Sequence, residues 1–196
     1  FPNASRDGRG RLRCAAAVGV GDDLEERVEA LLAMGVDAVS IDTAHGHSAN
    51  VVKAIQRIKG SWPDLADTAR NVVTEEGVET RASAGADAVK VGVGAGSICT
   101  TRVVSGAGMP QLSAIWFTAH RARQLGIPVI ADGGITFSGD IVKAVVAGAS
   151  TVMLGSLLAG TEESPGEMEL FEGRRYKSYR GMGSMGAMTG DSQDRY

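Results

Sequence analysis

A chain of 196 residues that is 43% apolar and 22% charged is long enough to bury one sizeable core and suits one domain. Its formal charge of −3 gives no electrostatic reason to bind nucleic acid or a membrane surface, and its basic residues are scattered except in "GRRYKSYRG". No apolar run reaches bilayer-spanning length, no signal-peptide pattern opens the chain, and two cysteines fit a reducing, cytoplasmic compartment better than a disulfide framework.

Short apolar runs alternate with amphipathic segments, the signature of an α/β fold. Six runs read as strands: "RCAAAVGV" (13–20), "DAVSID" (37–42), a weak "ARNVV" (69–73), "DAVKVGV" (87–93), "IPVIAD" (127–132) and "STVMLG" (150–155). Their continuous Ala/Val/Ile character suits parallel strands covered on both faces. Cys14, inside the first run, reads as a small buried hydrophobe. Between the strands lie helical patterns. "DDLEERVEALLAMG" puts Leu24, Val28, Leu31 and Leu32 on one side and stops at Gly35. "SANVVKAIQRIKG" and "SGDIVKAVVAGA" follow the same plan, with Ser48 and Ser138 as cap candidates. "AMGVDAV", "SAGADAV" and "VAGASTV" repeat one helix-to-strand phrase, in which Gly35, Gly85 and Gly148 supply a left-handed helix end.

Polar residues gather just after the strands, in "DTAHGH", "GAGSICTTR", "DGG" and "GS". That end of the sheet carries the site both in open α/β sheets and in barrels. The uniform βα repeat favours a (β/α)8 TIM barrel, of which six units are visible here, so two N-terminal units are expected to be absent from this chain. Gly92, Gly94 and Gly96 form either a turn that approaches a small ligand or an ordinary tight βα turn. Cys99 follows Ser97 and precedes Thr100, Thr101 and Arg102, a polar setting that favours a nucleophile over a buried filler. Gly134, Gly155 and Ser156 fall where the last two strands of a barrel bind phosphate, and Asp132 is placed for a ribose diol or a helix cap. Asp42 is a stronger site candidate than His45 and His47, whose spacing completes no metal-ligand set. "YRGMGSMGAM" reads as a backbone surface for a flat ligand or as a flexible loop.

Taken together, "KVGVGAGSICTTR", "PVIADGGITFSGDIVKAVVAGASTVMLGSLLAGTEESPGE" and "YKSYRGMGSMGAM" closely resemble the IMP dehydrogenase branch of the IMP dehydrogenase / GMP reductase family. The resemblance implies a TIM-barrel enzyme, usually a homotetramer, that oxidises IMP to XMP with NAD in guanine nucleotide biosynthesis. On that resemblance the six strands match barrel strands three to eight. The whole of 1–196 is then a partial catalytic barrel, with the first two βα units and a regulatory CBS pair not present. Cys99 matches the nucleophile that attacks C2 of the purine to give a covalent thioimidate, with Thr101 as a second catalytic residue. Ser97, Asp132, Gly134, Gly155, Ser156, Tyr179, Gly181, Met182 and Gly183 match contacts to IMP. Asp42, Thr43, Asn71, Gly92 and Gly94 match the NAD side, Asp42 on the nicotinamide ribose. The carbonyls of Gly94, Gly96 and Cys99 match a site for a monovalent cation, usually potassium.

The chain departs from that pattern where the family shows an apolar strand ending in Gly-Asn. Here the run is "ADTARNVV", which sets Asp67, Thr68 and Arg70 in a barrel interior or helix interface, and Arg81 and Ser83 of the next helix fall on core positions. The family's mobile flap continues past "DRY"; if the polypeptide ends there, hydride transfer is expected to survive in principle while hydrolysis fails. GMP reductase shares the barrel and the cysteine but has an acidic residue where Met185 stands, and "SYRGMGS" favours the dehydrogenase. The other alternative is a catalytically incompetent nucleotide-binding fragment.

Overall fold

The computed structural model describes residues 2–43 and 48–188. It is an α/β fold built on a parallel six-stranded sheet whose spatial order follows the chain: β1 (Ala15–Val18), β2 (Ala38–Ile41), β3 (Ala66–Val72), β4 (Ala88–Val91), β5 (Val129–Asp132) and β6 (Thr151–Met153). Sequential parallel order requires a crossover between every pair of neighbours, and helices supply them. These are α1 (Leu24–Ala33), α2 (Ala49–Ser61), α3 (Glu75–Ala84), α4 (Thr101–Ser105) with α5 (Gln111–Leu125), and α6 (Ser138–Val146). The winding is that of a partial TIM barrel: β1 and β6 are the two edges, and among the described residues they do not pair. After β6 come α7 (Ser156–Ala159), an antiparallel hairpin of β7 (Met168–Phe171) and β8 (Arg174–Lys177), and α8 (Met185–Met188).

Strand alternation separates two environments. Val39, Ile41, Ala69, Val89, Val91, Val129 and Ala131 face the helices and join two apolar clusters, one under α1 and α2, the other under α3, α5 and α6. Each fully buried Val or Ile there contributes roughly 1.5–3 kcal/mol. Ser40, Thr68, Lys90 and Ile130 alternate with them on the opposite face, the barrel interior. Gly35, Gly85 and Gly148 take φ of +81°, +104° and +114°, as the repeated helix-end phrase required.

Several expectations need correction. Cys14 is exposed, because the first strand begins one residue later and is an edge; the Cys14 N–H donates to Asp37 instead of joining the core. Ser48 occupies the N-cap of α2 without a side-chain cap bond. Ser138 lies inside α6, whose start is held by Asp140 accepting from the N–H groups of Thr136 and Phe137 at 3.1 and 2.9 Å. Those backbone donors, with the Lys143 ammonium, pull the Asp140 carboxyl down to about 2. Ser83 is exposed, whereas Arg81 is fully buried as its position in the helix pattern required. α5 and the β7–β8 hairpin were not anticipated: α5 carries its apolar face as Ala114, Ile115, Ala119 and Ala122, small residues that give a weak periodic signal.

β3 is longer than the sequence pattern indicated because its charged positions hid it. Asp67 is buried yet held at the start of the strand: its Oδ1 lies 3.6 Å from Lys59 Nζ and accepts from the Asp87 N–H at 3.4 Å. Lys59 Nζ also donates to Asp87 at 2.5 Å and to the Leu65 carbonyl at 2.8 Å, so one ammonium ties α2 to the starts of β3 and β4. Near its end β3 bulges. Ala69 pairs with Val89 and Val72 with Val91, so three steps of β3 run beside two of β4, and Arg70 and Asn71 fall in the extra space.

Candidate functional site

The C-terminal ends of the strands open into a cavity of about 400 Å³. Thr43 reaches it after β2, Asn71 from the β3 bulge, and Gly92, Gly94, Gly96, Ser97, Cys99 and Thr101 from the long loop after β4. Asp132 and Gly134 follow from β5, and Gly155 and Ser156 from β6. The segment after β8 closes the far side with Tyr179, Gly181, Met182 and Gly183. Apart from His45 and His47, every sequence-derived site residue therefore lines this cavity, with a single exception. Asp42 is not among the lining residues; its carboxylate pairs with the Arg70 guanidinium. His45 and His47 lie outside the described residues, and so does the segment 189–196.

The β4 loop is shaped by glycines whose absent side chains are used by neighbours. A Cβ on Gly92, at φ +138°, would lie 2.2 Å from the Asp132 carbonyl and 2.7 Å from the Gln111 amide. That vacancy lets Gln111 Nε2 donate to the carbonyls of Val91 (2.8 Å) and Asp132 (3.2 Å), locking the start of α5 under the ends of β4 and β5. Gly94 does the same for Arg102, whose Cγ would lie 2.4 Å from an added Cβ and whose Nη2 donates to Met109 O at 2.5 Å. The loop is thus braced from behind, and its front presents Cys99. The Cys99 thiol is exposed to the cavity and donates to Thr101 Oγ1 at 3.2 Å, while its N–H donates to Gly96 O at 3.1 Å.

Beside the thiol stands a second network that sequence reasoning missed in part. Lys90, buried on the interior face of β4, places Nζ 3.1 Å from Asp132 Oδ2. Asn71 Nδ2 donates to the same oxygen at 3.1 Å and also to the Gly92 carbonyl. Two donors on one oxygen fix the carboxylate and leave Oδ1 as its second acceptor edge. The signal was present, since Lys90 is the lone charge in an otherwise apolar strand. Asn71 Oδ1 and Ser184 Oγ, both from residues that line the cavity, are buried polar atoms without a hydrogen-bond partner among the described residues. Such orphans are rare unless a ligand completes them. Tyr179 reaches across to the β6 turn, where its hydroxyl fills the space that a Cβ on Gly155 would occupy, 2.6 Å away.

Chemically, the arrangement holds one thiol, one fixed carboxylate and glycine turns after β5 and β6, all facing a space of small-ligand size. Among the described residues no group of three or more His, Cys, Asp or Glu is placed to hold a metal ion. No helix of the described residues is long and apolar enough to cross a membrane.

Comparison with known proteins identifies the family. Residues 1–196 match the family described as IMP dehydrogenase / GMP reductase domain. The chain is 59% identical over 195 residues to the inosine-5'-monophosphate dehydrogenase of Escherichia coli K12, covering 100% of this chain and 40% of that relative. It is 59% identical over 197 residues to that of Aquifex aeolicus and 57% over 196 residues to that of Staphylococcus haemolyticus, with the same coverage. The chain thus spans about two fifths of the length of the curated relatives it matches.

Proposed function

Because the chain belongs to the IMP dehydrogenase / GMP reductase domain family, we propose that its cavity takes IMP and that Cys99 carries out the NAD-dependent oxidation of IMP to XMP in guanine nucleotide biosynthesis. One observation carries the reading: the single thiol of the cavity sits beside the Thr101 hydroxyl, on a loop that glycines and Arg102 hold rigid. On this reading Cys99 Sγ bonds to C2 of the hypoxanthine, and its proton leaves past the Thr101 hydroxyl to solvent. NAD held along Thr43, Gly92 and Gly94 would accept the hydride that C2 loses. Water then attacks C2, the C–S bond breaks, and XMP departs with the thiol restored.

The rest of the wall has roles to match. Asp132, held by Lys90 and Asn71, accepts from the ribose diol. Gly134, Gly155, Ser156 and Tyr179 surround the phosphate with backbone N–H and hydroxyl donors, and Ser97, Gly181, Met182 and Gly183 flank the base. The orphaned Asn71 Oδ1 fits the dinucleotide side, where Thr43, Gly92 and Gly94 also line the wall, because a nicotinamide carboxamide brings N–H donors. The carbonyls of Gly94, Gly96 and Cys99 suit a potassium ion, since neutral oxygens replace the hydration shell of a large monovalent cation. A cytoplasmic homotetramer whose barrel includes further βα units completes the proposal.

NADH release measured at 340 nm tests it. IMP with NAD should give NADH from the native chain, while Cys99→Ala should lose at least roughly 10⁴-fold in rate. NADPH-dependent deamination of GMP, with no NADH from IMP, would contradict it.

A further inference from the structure

The one expected site residue outside the cavity lining is Asp42, and its carboxylate is held by Arg70. Arg70 leaves the β3 bulge toward β2, while its neighbour Asn71 turns the other way toward β4 and β5. The bulge therefore splits the strand's end, sending a guanidinium to one half of the cavity and an amide to the other. The Arg70 guanidinium donates to the Asp42 carboxylate, both side chains are largely buried, and Arg70 itself lines the cavity beside Thr43. A guanidinium stays charged at every accessible pH and presents a fork that matches a carboxylate. Arg70 Nη1 holds Asp42 Oδ1, so a ribose hydroxyl that binds Asp42 must share the carboxylate with that charge-assisted bond or displace it.

We infer that Arg70 is a specificity-determining residue that competes with the dinucleotide for Asp42 and thereby weakens NAD binding without touching the nucleotide half of the site. The inference rests on the proposed assignment of that half-cavity to NAD. Its structural core is independent of it: Asp42 is engaged from within the protein by Arg70.

Calorimetric titration tests this, using the full chain with Cys99→Ala so that IMP and NAD bind without turnover. Removing the guanidinium in Arg70→Gly, and separately in Arg70→Ala, should tighten the Kd for NAD roughly tenfold and leave the Kd for IMP within about twofold. Adding Asp42→Asn to either variant should abolish the gain. NAD affinity that is unchanged or weaker in both variants, with IMP binding intact, overturns the inference. Equal loss of IMP and NAD binding in both variants also overturns it, by showing that the pair shapes the whole site. If the chain with Arg70 in place binds no IMP at all, the functional reading itself fails and takes this inference with it.

Discussion

β4 and β3 lie side by side and end at the same cavity, but they carry charge in different ways. β4 brings one charge inside the sheet, Lys90, and sets it 3.1 Å from Asp132, so the buried ammonium orients a carboxylate of the site. β3 and α3 carry Asp67 and Arg81 into the helix layer, where Asp67 Oδ2 and Arg81 Nε and Nη2 have no hydrogen-bond partner among the described residues. Burial alone pulls the Arg81 guanidinium below its usual range. Burial also pushes the Asp67 carboxyl up to about 6, although the Lys59 ammonium opposes it. A well-paired buried charge is a positioning device, whereas one with unpartnered polar atoms, such as Arg81 or the half-satisfied Asp67, is chiefly a destabilising load.

Removing the charge on β4 should produce the largest effect on binding. Lys90→Met leaves Asp132 with Asn71 alone, and the KM for IMP should rise about 10–100-fold while Lys90→Arg retains most of the affinity. Steady-state kinetics with IMP varied would check this. An unchanged KM in Lys90→Met would mean that Asn71 suffices and that the two strands do not differ in the way described.

Removing the charge from α3 should have the opposite sign. Arg81→Met keeps the length of the side chain and drops its unpartnered donors, so the chain should gain about 1–4 kcal/mol in urea unfolding. A loss of stability would show that Arg81 has partners that make it a net contributor.

A smaller, pH-dependent effect belongs to Asp67. Its folded pKa stands near 6, above the ordinary 3.8, so the folded chain holds this proton more tightly than the unfolded chain does. Below about pH 4 the group is protonated in both states and carries no penalty; as pH rises toward 6 the unfolded chain sheds its proton first and stability declines. The loss levels off above pH 6 at up to about 3 kcal/mol. Asp67→Asn should therefore match the native chain near pH 4 and exceed it near pH 7 in urea midpoints. Equal stability differences at both pH values would refute the assignment.

These contrasts also explain how much could be read in advance. The six strands and their order were legible because Val39, Ile41, Val89, Val91 and Val129 sit in runs that only a doubly covered parallel sheet produces. The cavity wall was legible because glycines and hydroxyls gather after each strand. β3 was the weak element for a physical reason: its stability comes from tertiary partners, Lys59 with Asp87 at one end and Asp42 at the other, and not from its own apolar pattern. Cys14 was misread because an apolar run does not reveal which strand is an edge. Arg70 was visible as a departure, but its partner was not. A register shift in β3 aims it, and local patterning does not encode such a shift.

The central claim is that Cys99 is the nucleophile presented by the braced β4 loop. The most direct measurement is peptide mapping by mass spectrometry of the full chain quenched during turnover with IMP and NAD. A nucleotide adduct on the peptide containing Cys99, dependent on both ligands and absent from Cys99→Ala, is the result expected. A nucleotide adduct on Cys14 or another residue, or NADH formation that persists in Cys99→Ala, would contradict it.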